Sequence, residues 1–292
     1  MTAAPIFIEG LGEIADRFDH VLLDQWGVLH DGRQVFEAAS DCVRRLAETG
    51  KTVVVLSNSG KRAAPNAARL TDLGLPPSAY RALVSAGEVT WEALCRRDAP
   101  PFDRLERRCF LIARGHDRSI IEDLEIVPVE RIEEASFLLL AGLDEERAEP
   151  ELWRPLLAAA AARGLLMVCA NPDLTVYAPW GLVAGPGTLA RLYEELGGRV
   201  TYVGKPYPQI YAHCLRILGG PAPDRVLAIG DSLDHDVAGG NRAGLVTAFV
   251  SAGVLAPSFA DARTPGAVVE TTLKLGRDID KRPRWVMRVL AW

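Results

Sequence analysis

Short runs of β-branched and aliphatic residues, each ending on a polar residue and each followed by a helix-like stretch, recur at both ends of the chain. This alternation constrains the fold more than any other feature. His20–Leu23 (HVLL) reads as a buried strand ending at Asp24, and Thr52–Leu56 (TVVVL) as a second ending at Ser57. Between them Phe36, Ala39, Val43, Leu46 and Ala47 keep helical spacing, and Gly50 stands where a C-cap glycine would. A helix over about 63–73, a strand at 81–84 and a helix opened by a Ser85/Glu88 capping box follow. Towards the other end 200–203, 226–229 and 246–250 read as strands, with helices starting at Pro208 and near Val237. This rhythm implies a parallel sheet covered by helices on both faces. Right-handed crossovers would bring the loops after the strands to one edge.

The chain has 292 residues, about twice a ~150-residue domain, which predicts two domains or one with a large insertion. The middle carries strands at 110–113, 137–140 and 166–169, and the polar, Pro100-Pro101-containing stretch Cys95–Arg108 reads as a loop or boundary. The expected fold is α/β: a three-layer Rossmann-like core from 1–86 and 191–292, with an α/β domain inserted at 87–190. The tail Lys281–Trp292 reads as a terminal helix that packs Trp285 and Trp292 on the core or a subunit.

Charge and composition narrow the function classes. Lys plus Arg number 33 against 38 Asp plus Glu, a net charge of −5, so no general field attracts nucleic acid or an anionic membrane. No run approaches the ~18 apolar residues of a membrane span. The start, MTAAPIFIEGLGEIADRF, lacks a basic segment and carries Glu9 and Glu13, unlike a signal peptide. Five widely spaced cysteines without a CxxC pair read as reduced thiols of a cytoplasmic protein. A dinucleotide-dependent oxidoreductase would fit the rhythm, but no GxGxxG follows the first strand.

Four polar clusters stand at the strand ends or helix starts: Asp24 in LLDQWGVLHDG, Ser57 in VVVLSNSGK, Lys205 in YVGKPYP, and Asp231 with Asp236 in AIGDSLDHD. Carboxylates hold a hard divalent cation through oxygen. Ser57 and nearby backbone N–H groups can cradle a phosphoryl group, and Lys205 can neutralise it. An aspartate at a strand end can act as a nucleophile that forms an aspartyl-phosphate.

These clusters resemble the haloacid dehalogenase superfamily of phosphatases, class IIA, the sugar-phosphate, nitrophenyl-phosphate and pyridoxal-phosphate phosphatase-like group. Motif one is Asp24-Gln25-Trp26-Gly27-Val28-Leu29, motif two Ser57-Asn58-Ser59, motif three Gly204-Lys205-Pro206, and motif four Gly230-Asp231 with Asp236; Asn171-Pro172-Asp173 is also typical. The resemblance implies a Mg²⁺-dependent hydrolase of a small phosphorylated metabolite. It makes Asp24 the nucleophile and a metal ligand, with the Trp26 backbone carbonyl, Asp231 and Asp236 completing the metal site. Ser57 and the backbone of Asn58 would bind phosphate, and Lys205 would hold phosphate and nucleophile together. The insert would be a C2-type cap that selects substrate, and association through caps would give a homodimer.

One position departs from the pattern. The family places a second aspartate two residues after the nucleophile, where it protonates the leaving oxygen; here Trp26 stands, and an indole N–H is a donor only. Three readings follow. In the first, the substrate carries a leaving group that needs no proton, such as an acyl or aryl phosphate. In the second, His30, Asp31, Asp234 or His235 supplies the proton. In the third, the protein binds a phosphorylated ligand in a regulatory role without turnover. His116 and the Gly185-Pro186-Gly187-Thr188 turn read as loop features of the cap. Tyr177 and Trp180 read as strand aromatics, with stacking on a ring-containing substrate as the alternative.

Overall fold

The computed structural model describes residues 4–178 and 181–292; Trp180 lies outside them. In chain order the strands are β1 (Ile6–Phe7), β2 (His20–Leu23), β3 (Thr52–Ser57), β4 (Ala82–Ser85), β5 (Arg108–Ile112), β6 (Val127–Pro128) and β7 (Phe137–Leu140). There follow β8 (Leu166–Cys169), β9 (Thr175–Ala178), β10 (Gly181–Ala184), β11 (Arg199–Tyr202), β12 (Val226–Gly230), β13 (Val246–Val250) and β14 (Trp285–Met287). The α-helices are α1 (Glu37–Glu48), α2 (Ala63–Asp72), α3 (Ala86–Arg96), α4 (Arg154–Ala162), α5 (Pro186–Glu195), α6 (Pro208–Ile217), α7 (Ala238–Arg242) and α8 (Pro265–Leu275).

The chain divides into two compact units. The first comprises 1–57, 67–84 and 205–292, and the second 58–66 and 85–204. The first unit is built on a seven-stranded sheet of order β1-β14-β13-β12-β2-β3-β4. β12 runs parallel to both β2 and β13, and β2 parallel to β3. Every residue of β12, and all but the first of β2, β3 and β13, is buried, as expected of strands covered on both faces. Helix α1 turns Ala39, Cys42, Val43 and Leu46 inward at helical spacing, while Asp41, Arg44, Arg45 and Glu48 pair on its outer face.

The second unit holds a five-stranded sheet, β11-β8-β7-β5-β6, and the antiparallel β9–β10 hairpin. Its core packs Leu138, Leu140, Trp153, Leu157, Met167, Leu189 and Tyr193. This unit is larger than the expected insert at 87–190. β11 pairs in parallel with β8 rather than joining the first sheet, so α5 and β11 complete the second one. Residues 58–66 also belong to it: the Gly87 amide donates to the Ser59 carbonyl (3.0 Å), and Ser85 Oγ donates to the Lys61 carbonyl (2.6 Å). Periodicity defines a βα unit but carries no information on which sheet accepts it.

Two further expectations are corrected. The tail is a strand, not a helix: β14 pairs in parallel with both β1 and β13, because Trp285, Val286 and Met287 are a β-branched and bulky run buried on both sides. The capping box at Ser85 is half-formed. Ser85 Oγ accepts the Glu88 amide (3.0 Å), but the Glu88 carboxylate is taken by Arg62 (2.8 and 2.9 Å) and by the Ala63 amide (2.8 Å). Cys42, Cys109, Cys169 and Cys214 are buried free thiols and Cys95 is exposed.

Candidate active site

Parallel register sets the site. Leu23 pairs with Ile229 and with Val55, so the residues after β2, β3 and β12 emerge together at the carboxyl edge of the first sheet. That edge is where open α/β sheets bind ligands. Asp24 is anchored there by its amide, which donates to the Ile229 carbonyl (3.0 Å). Ser57 closes β3 and is buried at the same edge.

Four charged residues meet in this buried space. Lys205 Nζ donates to Asp24 Oδ1 at 2.5 Å and to Asp236 Oδ1 at 2.7 Å, and all three residues are buried. Carboxylate oxygens of Asp24, Asp231 and Asp236 lie within 4.8 Å of one another. The second oxygen of Asp236 accepts the Ser232 amide (3.1 Å), and Asp231 Oδ2 accepts the Val254 amide (2.6 Å). Gly27 and Gly253 bring bare backbone against the Asp231 carboxylate; a Cβ on either would come within 2.1 Å of Oδ2.

Three buried carboxylates against one ammonium leave an uncompensated negative charge. Burial, reinforced by the charge of Asp236 and opposed by Lys205, pushes the Asp24 carboxyl up to about 7. Burial, with the charges of Asp24 and Asp236, raises Asp231 well above the carboxylate range. Burial disfavours the Lys205 ammonium, but Asp236 and Asp24 outweigh it and hold its pKa well above the usual lysine value. An all-oxygen donor set with excess negative charge fits a hard divalent cation.

The raised Asp24 value has a stability consequence. The folded protein holds a proton on Asp24 up to about pH 7, whereas the unfolded chain releases it near the ordinary carboxylate value of 3.8. Asp24 therefore adds stability to the metal-free protein at low pH, and that contribution is lost as pH rises from about 4 to about 7. Melting scans in chelator should show wild type losing more between pH 5 and 7.5 than Asp24→Asn, which has no proton to release. Equal pH dependence would contradict a raised Asp24.

Trp26 turns its indole toward the loop that follows it. The ring meets His30 edge-on (centroids 4.9 Å apart), lies against the Cα of Gly32 and has the Arg69 guanidinium over its face at 5.5 Å. His30, Asp31 and Asp234 are each held in other interactions. His30 is fully buried, its Nδ1 accepts the Gly32 amide (3.0 Å), and burial pushes its pKa down to about 4, so it is neutral at pH 7. Asp31 accepts the Arg33 and Gln34 amides, and those bonds hold its carboxyl below the usual value. Asp234 is paired with Lys281 at 2.9 Å on the surface. The His235 amide is capped by Ser232 Oγ (3.2 Å).

Asn58 belongs to the second unit, where its amide donates to Asp173 Oδ1 at 2.7 Å. Gly185 and Gly187 allow the start of α5 to approach the carbonyls of Pro172 and Asp173, so the Gly-Pro-Gly turn and the Asn-Pro-Asp motif are one packed feature. Sequence reasoning missed two contributors. The loop after β13 grips Asp231 through Val254, and its signal was the Ser251-Ala252-Gly253 turn after a strand. Tyr211 lies beneath Asp236 and reads in sequence as an ordinary core aromatic.

A profile of the haloacid dehalogenase-like hydrolases matches residues 18–244, more than three-quarters of the chain. The chain belongs to this family. Among solved structures, a haloacid dehalogenase-like hydrolase from Brucella suis 1330 superposes with a TM-score of 0.81 at 33% identity, covering 97% of this chain and 100% of that one. Chronophin of Bos taurus is 29% identical over 267 residues, 84% of either chain. A glycerol phosphate phosphatase of Mycobacterium tuberculosis, solved in complex with magnesium, shares the fold at 24% identity and a TM-score of 0.67, covering 94% of this chain and 76% of that one. Three of the four motifs, those of Asp24, Ser57 and Asp231, end strands of one sheet, and Lys205, which follows β11, joins Asp24 and Asp236 through its side chain. No helix among the described residues is long and apolar enough to cross a membrane.

Proposed function

We propose that this haloacid dehalogenase-like hydrolase is a Mg²⁺-dependent phosphatase of a small phosphorylated metabolite, working through an aspartyl-phosphate on Asp24. The observation that carries the reading is the buried set of Asp24, Asp231 and Asp236, with Lys205 bridging Asp24 and Asp236, at the carboxyl edge of a parallel sheet. The relative that acts on glycerol phosphate and binds magnesium supports both the substrate class and the metal.

Asp24, Asp231, Asp236 and the Trp26 backbone carbonyl would hold the cation. Mg²⁺ so held would offset the carboxylate charge and that of the phosphoryl oxygens. Asp24 Oδ attacks phosphorus in line, the bond to the leaving oxygen breaks, and water then cleaves the acyl phosphate to return the carboxylate. Lys205 opposes the burial that raises the Asp24 carboxyl and neutralises the incoming phosphate. Ser57 Oγ would donate to the phosphoryl oxygens. Because no acid stands at position 26, the substrates favoured are those with good leaving groups, acyl or aryl phosphates.

The test is Mg²⁺-dependent phosphate release from an aryl phosphate and an alkyl sugar phosphate side by side. Release that chelator does not abolish would overturn the reading. Gly253→Ala pushes a methyl into Asp231 and is expected to raise the Mg²⁺ requirement by ~10-fold or more, read from the metal dependence of the rate. The position of Trp26 also favours a second reading, a phospho-ligand binding protein without turnover. Sugar-phosphate binding with no phosphate release from either substrate would select it.

A further inference from the structure

We propose that Tyr211 is a positioning residue for the cation site, holding the Asp236 loop in place through its phenolic oxygen. The inference rests on the metal-dependent reading above. Asp236 lies in a single wide turn, Leu233–Val237, closed by the Val237 amide on the Ser232 carbonyl five residues back (3.1 Å). Such π turns are rare and cluster at functional sites, because the widened ring must be held by outside contacts. Tyr211 supplies one. It lies on α6, six residues beyond Lys205, and is 1% exposed. Its hydroxyl donates to the His235 carbonyl at 3.0 Å and lies 3.5 Å from the Asp236 carbonyl.

The fit is specific to an oxygen at that place. The hydroxyl rests on α7 at Gly239, where a Cβ would come within 2.3 Å of it. A purely structural aromatic here would be a phenylalanine, which needs no buried acceptor. Burial and the nearby Asp236 charge push the phenol well above its ordinary pKa, so it remains a donor throughout the working range. The Asp236 side chain is already fixed from both sides, by Lys205 on one oxygen and the Ser232 amide on the other. Tyr211 adds the third attachment, to the backbone beneath. It thereby ties the loop of Asp236 to the helix that begins just after Lys205, which sets the distance between the ammonium and the carboxylate.

The experiment is a calorimetric Mg²⁺ titration of the full chain, paired with metal-free melting and with KM at saturating Mg²⁺. Tyr211→Phe keeps the ring and removes only the oxygen. It is expected to weaken Mg²⁺ binding by ~10-fold while KM for substrate at saturating metal changes less than about twofold. Ile210→Val, a neighbouring packing change on the same buried helix face, serves as the control and is expected to leave Mg²⁺ binding unchanged. Mg²⁺ binding by Tyr211→Phe within about twofold of wild type would overturn the proposal, as would an equal loss in Ile210→Val. A wild-type chain that takes up no Mg²⁺ would instead overturn the phosphatase reading, and this inference with it. The two failures are thus read on different proteins.

Discussion

Asp24→Asn will lower Mg²⁺-dependent phosphate release by at least ~10⁴-fold and leave the protein folded. The size follows from the chemistry. An amide oxygen is a poor nucleophile and gives no hydrolysable acyl phosphate, so both halves of the reaction are lost with one atom. The folded state should tolerate the change for reasons visible in the site. Asparagine is isosteric, Lys205 keeps its 2.7 Å partner in Asp236, and one of three mutually repelling buried carboxylates disappears. The variant should therefore melt at or above the wild-type temperature at pH 7.5 in chelator, where the wild-type residue is forced to ionise. Lost activity together with an undiminished melting temperature assigns Asp24 to the chemistry. Wild-type turnover in Asp24→Asn would place the nucleophile elsewhere. The contrasting change is Lys205→Met, which removes the ammonium and leaves Asp24 and Asp236 buried without it. That variant combines lost activity with lost stability.

The same contrast explains what could be seen in the sequence. The strands that carry the site were legible because buried parallel strands are short, β-branched and punctuated by the polar residue that follows. His20–Leu23 ends on Asp24, Val226–Gly230 on Asp231, and Thr52–Ser57 closes with the candidate phosphate hydroxyl. What was not legible depends on partners distant in sequence. Arg199–Tyr202 has the pattern of any strand, and only its pairing with Leu166–Cys169 places it in the second sheet. Trp285–Met287 sits in a basic, aromatic tail that resembles a helix until its pairing with Ile6–Phe7 and Val246–Val250 is known. Within the site, Val254 acts through a backbone amide and Gly253 through a missing side chain, neither of which leaves a chemical signature in the sequence. His30 stands near Asp24 in sequence, but its burial and its bond to the Gly32 amide, both tertiary facts, remove the charge that a proton donor needs.

Position 26 is where the largest change in substrate range is expected. If leaving-group protonation is what Trp26 removes, the wild type will cleave an aryl or acyl phosphate faster than an alkyl sugar phosphate, the gap being about the ~10²–10⁴-fold contributed by a general acid. Restoring a carboxyl should close that gap, raising the alkyl rate and leaving the aryl rate nearly unchanged, since a good leaving group gains little from a proton. The surroundings of Trp26 decide how the restoration must be made. Arg69 lies 5.5 Å from the centre of the indole and already donates to the Gly32 carbonyl at 3.2 Å. In Trp26→Asp alone, a new carboxylate beside that guanidinium would pair with it, stay ionised and be drawn toward Gly32. The double variant Trp26→Asp with Arg69→Gln removes the competing cation and is expected to show the full effect, with the single variant intermediate. The ratio of alkyl to aryl kcat/KM in the three proteins checks the argument. Because the ratio compares two substrates of one protein, loss of indole packing against His30 and Gly32 lowers both rates and leaves it unmoved. A wild type that hydrolyses both substrates equally, or a double variant with the wild-type ratio, would mean that the leaving oxygen finds its proton without any side chain at position 26.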